Sequence, residues 1–313
     1  TGISNGDYFK KALVRANGVV ENFEFGWEKA TFTALEGEDL MNPDFLSEEI
    51  NHSWFEYPNG ETSLHPIEGV TKPAFTGPKT GTNKKWEFLD EEKKYSWIKS
   101  PTFKGKACEV GPLAKYIVVY VKVKQGIIKD PTWAEKMMVD QIDAVSKVLG
   151  VPAHVWLCST VGRTAARGLD AQVAANLSQH FYNRLVENIK TGDTVVADTR
   201  KFDPNTWPKE AKGVGVLDAP RGGLGHWCVI KDGRVDNYQC IVPTTWNACP
   251  KTIAGEHGAY EANMMDTKVK IADKPLEILK GIHSFDPCLA CATHLYNKKG
   301  EKIVSVNTDA LCK

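Results

Sequence analysis

The chain has 313 residues, enough to bury a large core as one big domain or two ordinary ones. Its 39 basic and 39 acidic residues cancel, so no overall field favours nucleic acid or an anionic membrane surface. No run approaches the ~20 apolar residues of a membrane-spanning helix; the nearest, Tyr116 to Ile128, is interrupted by Lys122 and Lys124. Gly2 to Asp7 shows neither the basic start nor the apolar core of a signal peptide. Eight cysteines in a chain this long lack the density of a disulfide scaffold and fit a reducing compartment.

Residues 1 to about 105 carry scattered aromatic, Gly, Pro and Asn residues, with breakers at Asn59-Gly60, Lys72-Pro73 and Gly77-Pro78. This segment is expected to be irregular and to wrap a larger body. One short helix is predicted from Asn42-Pro43 to His52, because Asn42 can cap and Pro43 suits a first turn. From Leu113 the periodicity becomes helical. Gly111-Pro112 opens a helix, and Asp130-Pro131-Thr132 starts a second that ends at Leu149 before Gly150. Pro152 leads into a long helix whose apolar positions, Leu157, Val161, Ala165, Leu169, Val173, Leu177, Phe181 and Leu185, step by four and predict a core stripe. Arg163 and Arg167 share one face of that helix and can reach an acidic partner or solvent.

Residues 191 to 209 read as a polar connector. A compact β unit follows: Gly213 to Leu217, Gly225 to Ile230, a Lys231-Asp232-Gly233-Arg234 turn, and Val235 to Val242. Gly222-Gly223 is expected to let the backbone approach something closely, since no phosphate-loop pattern surrounds it. Helices over Gly258 to Asp266 and Pro275 to Ile282 complete a mainly α, multihelical fold with one small antiparallel β element.

Cys288-Leu289-Ala290-Cys291 then places two thiols three residues apart, with His294 three further on. Thiolates are soft ligands suited to zinc, copper(I), nickel or iron. Alone, the spacing also serves redox pairs, zinc half-sites and inert buried thiols. A closed zinc site needs four ligands, and the chain has no second such pair, so if this pair holds metal the other ligands are expected from a separate segment.

Longer stretches are more specific. They are Tyr95-Ser96-Trp97-Ile98-Lys99-Ser100-Pro101, Glu109-Val110-Gly111-Pro112-Leu113-Ala114, Gly162-Arg163-Thr164-Ala165-Ala166-Arg167-Gly168, Asp218-Ala219-Pro220-Arg221-Gly222-Gly223-Leu224-Gly225-His226-Trp227, Asn237-Tyr238-Gln239 with Val242-Pro243-Thr244-Thr245-Trp246-Asn247, and Asp286-Pro287-Cys288 through His294. Together they resemble the large, catalytic subunit of nickel–iron hydrogenases of the membrane-associated uptake group. The resemblance implies a nickel–iron centre, with CO and cyanide on iron, held by four thiolates that include Cys288, terminal on nickel, and Cys291, bridging. It implies that Cys288 acts as the base in heterolytic H2 cleavage, that Arg221 stands over the open metal position, and that Asp286 holds Arg221. Pro220 and Leu224 would line the cavity, and Pro243 and Thr244 would surround the iron ligands. His294 and the backbone carbonyl of Cys240 would hold Mg2+.

The same resemblance implies an iron–sulfur small subunit, a membrane cytochrome b, nickel-insertion proteins and a maturation endopeptidase as partners, at the periplasmic face of the cytoplasmic membrane. The family's amino-terminal R-x-C-G-x-C and R-G-x-E motifs are absent from this sequence. The expectation is therefore a carboxyl-terminal portion, 1–294, of a longer subunit in precursor form, with 295–313 removed on maturation. Lys115 stands where an arginine is usual. The competing expectations are a nickel-free respiratory relative, which the Cys288/Cys291 pair argues against, and a non-catalytic fragment or scaffold.

Overall fold

The structure is a computed structural model. It describes residues 2–5, 33–34, 39–76, 92–126, 128–197, 199–265, 267–288, 292–296 and 302–307, with the backbone alone at 2–5, 33–34, 39, 201, 292–296 and 302–307. The described residues of the amino-terminal third hold more regular structure than the composition suggests. Strands β1 (Gly2–Asn5), β2 (Thr33–Ala34), β3 (Leu46–Glu49), β4 (Phe55–Glu56), β5 (Ser63–Leu64), β6 (Lys72–Pro73), β7 (Ser100–Phe103) and β8 (Lys106–Val110) occur there. Six of them form an antiparallel sheet in the order β2-β1-β8-β7-β3-β5, and β4 pairs with β6. The β content therefore exceeds the one small element expected from the sequence.

The helix expected over Asn42 to His52 is absent. Asn42 does nucleate one turn, accepting from Asp44 N–H at its side chain (2.9 Å) and from Phe45 N–H at its carbonyl (3.0 Å). The chain then extends as β3, because pairing Leu46 with Phe103 and Glu48 with Pro101 buries Leu46 completely. Long-range burial outweighs a local capping preference.

The middle of the chain follows its periodicity. Helix α1 (Pro112–Lys124) starts at Gly111, which is left-handed (φ 135°), with Pro112 in the first turn. Helix α2 (Trp133–Leu149) has a reciprocal capping box between Thr132 and Glu135 and ends on left-handed Gly150. The long helix predicted after Pro152 is two helices, α3 (Ala153–Leu157) and α4 (Thr160–Lys190). Ser159 makes the break: its hydroxyl donates to Trp156 O (2.7 Å) and accepts from Gly162 N–H (2.9 Å), closing one helix and capping the next. Gly162 permits this, since a Cβ there would strike the Trp156 and Leu157 carbonyls. Leu113, Ile117, Val121, Ile142, Leu157, Ala166 and Val173 form the buried core of these helices. Further along α4 the stripe is exposed at Phe181 and Leu185.

After the connector, β9 (Glu210–Ala219), β10 (Gly222–Lys231) and β11 (Arg234–Ile241) form the antiparallel unit read from the sequence, in the order β11-β10-β9. Its buried Trp227 and Ile241 pack with Leu46, Phe103, Val110 and Trp246, joining this unit to the six-stranded sheet. Short helices α5 (Pro243–Asn247), α6 (Ala259–Met264) and α7 (Leu276–His283) follow, and then the hairpin β12 (Ala292–Tyr296) and β13 (Lys302–Asn307). Among the described residues no helix is long and apolar enough to cross a membrane.

Candidate metal centre

Three consecutive residues at the end of β8 organise the site. Glu109 is buried and receives two bonds from the Arg163 guanidinium of α4, at 2.7 and 3.3 Å, in a pair whose side chains are each 3% exposed. Val110 exchanges backbone bonds with the Asn247 amide, both at 2.9 Å, which seats α5 on the strand end. Gly111 abuts the start of β10: a Cβ on Gly222 would lie 2.5 Å from Gly111 N and 2.7 Å from Val110 C. Gly222 has φ 131°, so glycine is required there for conformation as well as space. The close backbone approach expected of Gly222-Gly223 thus has a definite partner.

These anchors converge on the turn after α7. Ser284 is buried, accepts from Arg163 Nη1 (3.0 Å) and donates to Gly281 O (2.6 Å). Phe285 is buried beneath the same guanidinium, 3.9 Å from ring centroid to carbon, and packs on Tyr260. Asp286 adopts left-handed backbone geometry (φ 55°), which Asp tolerates better than most residues. The chain reverses here and presents Cys288, whose N–H donates to Thr244 Oγ1 (3.2 Å) and whose side chain is exposed.

Arg221, at the turn between β9 and β10, donates from Nε to Asp286 O (3.0 Å) and stands 3.3 Å from Asp286 Oδ2. Arg221, Asp286, Thr244 and Cys288 are therefore brought together by direct contacts and by two residues of chain. Pro220 is adjacent, its carbonyl taken by Arg167 (2.9 Å). Pro243 is buried in the first turn of α5, and Leu224 is half-buried on β10 opposite Leu217. Cys240 is exposed on β11, opposite His226. His294 lies in β12 opposite Ser305, its side chain outside the described residues, and Cys291 is also outside them.

Sequence reasoning did not single out Glu109, Ser284, Asp170 or Asp218. Glu109 and Asp218 stood inside the quoted motifs but were given no role there. Lys115, in the arginine's place, pairs with Asp170 (2.5 Å) and Asp218 (2.8 Å). Burial pulls its ammonium down, but the two carboxylates outweigh that and hold it above its ordinary value. His226 bonds Tyr238 Oη (2.6 Å) and His180 stacks on Trp133.

Among the described residues no group of three His, Cys, Asp or Glu side chains is placed to hold a metal ion. The Cys288 thiol fits one position of a nickel–iron centre, as a soft, accessible donor on a turn fixed from both sides.

The same fold occurs in solved hydrogenases. A variant of the Ni-Fe-Se hydrogenase of Desulfovibrio vulgaris Hildenborough matches with a TM-score of 0.56 and 24% identity, over 83% of this chain and 46% of that one. The reduced, active Ni-Fe-Se hydrogenase of Desulfomicrobium baculatum gives 0.55 and 24%, over 83% and 45%. The chain belongs to the nickel-dependent hydrogenase family, whose model matches residues 4–294. It is 48% identical over 270 residues to the uptake hydrogenase large subunit of Rhizobium leguminosarum bv. viciae, covering 86% of this chain and 43% of the relative. It is 41% identical over 301 residues to the Hydrogenase-1 large chain of Escherichia coli, covering 96% and 47%. The chain thus spans about half the length of the curated relatives it matches.

Proposed function

We propose that this chain is the carboxyl-terminal, catalytic portion of the large subunit of a nickel–iron hydrogenase that cleaves H2 into protons and electrons. The observation that carries the reading is the convergence of Arg221, Asp286 and Thr244 on the Cys288 turn, in a chain of the nickel-dependent hydrogenase family. When bound, a nickel–iron centre supplies Lewis acidity for heterolytic splitting of H2. Cys288 and Cys291 would hold it from this chain, the remaining thiolates coming from a segment outside it.

This chain's own residues then have separate tasks. Cys288 Sγ accepts the proton. Arg221 brings a fixed positive charge next to the turn, with Asp286 holding the guanidinium by a charge-assisted contact. Thr244 fixes the Cys288 backbone and, with Pro243, would surround CO and cyanide ligands on iron. Pro220 and Leu224 would line the approach. His294 and the Cys240 carbonyl would hold Mg2+ beside a new terminus formed when an endopeptidase removes 295–313 after nickel insertion. Electrons would pass to an iron–sulfur small subunit and on to a membrane cytochrome b at the periplasmic face, reached by export with the small subunit.

The test is intact mass and metal content of the full-length subunit co-expressed with its maturation proteins. Loss of 295–313 with stoichiometric nickel and iron, followed by H2-dependent dye reduction, is the expected result. A retained tail without nickel, under conditions that process a related subunit, would support the second reading, a non-catalytic or nickel-free relative.

A further inference from the structure

Arg167 is the charged group at this turn to which the proposed chemistry gives no task. It sits on α4 one turn beyond Arg163 and makes three contacts. Nη1 donates to Pro220 O at 2.9 Å and lies 3.5 Å from Asp286 Oδ2, and Nη2 reaches Ser284 O at 3.5 Å. Arg221 Nε approaches the same Asp286 Oδ2 at 3.3 Å, so two guanidiniums share one carboxylate oxygen. Pro220 directly precedes Arg221, and Ser284 stands two residues before Asp286. One side chain therefore grips both segments that carry the Arg221–Asp286 pair.

We propose that Arg167 is a positioning residue that sets where Arg221 and the Cys288 turn stand relative to each other. Asp286 alone is a weak tether, because its carboxylate is partly exposed and its left-handed backbone must be held by its surroundings. Arg167 supplies that hold from a helix whose preceding turn is locked by the buried Arg163–Glu109 pair. Behind it, Asp170 lies three residues on along the same helix, and Lys115 ties Asp170 to Asp218 on β9. Charges thus alternate from Asp218 through Lys115, Asp170 and Arg167 to Asp286 and Arg221.

The proposal rests on the hydrogenase reading for its catalytic part, and two measurements separate the two. The first is hydrogen exchange, by mass spectrometry, of the peptide covering Ser284 to Cys288 in the full-length subunit before nickel loading. Arg167→Gln should raise its exchange about tenfold, equivalent to about 1.4 kcal/mol, with α2 peptides unchanged and Arg167→Lys intermediate. Unchanged exchange overturns the proposal. The second is a double-mutant cycle with Asp286→Asn in the matured complex, reading kcat for H2 alongside nickel content. If Arg167 acts through Asp286, its loss should cost about tenfold in the wild-type background and less than about twofold in the Asp286→Asn background. Equal losses in both backgrounds, at equal nickel content, overturn it. A wild-type complex that never turns over H2 overturns the hydrogenase reading alone, and the exchange measurement still decides whether Arg167 holds the turn.

Discussion

At the scale of single residues, buried charge dominates the site. Arg163 and Glu109 are both almost wholly enclosed, so neither can lose its partner and be rescued by water. Removing one member of such a pair typically costs about 3–5 kcal/mol, because the other stays charged and buried. Arg163→Met should therefore lower stability by about that amount in urea unfolding, and a loss under about 1 kcal/mol would place the anchor elsewhere. Glu49 makes a pH prediction. Burial raises its carboxyl above the ordinary value, Ile253 N–H opposes this, and the nearby Glu256 charge adds to the rise. A raised folded-state pKa means that the native protein binds more protons than the unfolded chain above the ordinary carboxylate range. Stability then falls as pH rises from the unfolded value towards the folded one. Glu49→Gln, whose amide oxygen can still accept from Ile253, should flatten that fall between acid and neutral pH, and identical slopes in the two proteins would refute it.

Among elements, those specified by local chemistry were legible and those specified by distant partners were not. The capping box at Thr132 and the glycine stop at Gly150 are written in adjacent residues, and α2 has the predicted bounds. The Lys231-Asp232-Gly233-Arg234 turn likewise gave β10 and β11. By contrast, β3 is decided by β7, more than fifty residues away, and no pattern inside Asn42 to His52 announces that pairing. The α3–α4 break was hidden because the four-residue apolar step runs straight through Cys158 and Ser159. Of the candidate site, the motifs holding Arg221, Asp286 and Cys288 were legible, whereas the contacts of Glu109 and Ser284 and the grip of Arg167 appear only once the elements are docked. Gly222 links these levels. Gly222→Ala adds a Cβ against the end of β8 at a backbone angle that disfavours L residues, and should cost about 1–3 kcal/mol or more. Its thermal melt should drop accordingly, and a wild-type melt would mean that β8 and β10 can separate freely.

For the whole molecule, surface and interior are unevenly matched. The far half of α4 exposes Phe181, Tyr182, Leu185 and Ile189, each more than half accessible, on a chain with no net charge to oppose association. Leu185→Lys combined with Ile189→Lys should change the stability of this chain by less than about 0.5 kcal/mol each. The same pair should reduce its concentration-dependent self-association, measured by sedimentation. Equal association in both proteins would assign the contact to another surface.

Glu109, Val110 and Gly111 also set an order in time. They bond Arg163 across 54 positions and Asn247 across 137, and they adjoin Gly222 on the far side of the whole helical region. Contacts of such sequence separation form late, after the closures that bring their ends together. During synthesis the β8 end emerges early and waits for segments made long afterwards, the Ser284–Cys288 turn last of all. The backbone amides of the Ser284–Cys288 turn, among them the Cys288 N–H that donates to Thr244, should accordingly stay unprotected in pulsed hydrogen exchange through the early phases of refolding and become protected only in the final one. A turn protected first would mean that it organises itself. The turn to which the proposed chemistry is assigned is thus late to close, and until then it stands open to whatever must enter.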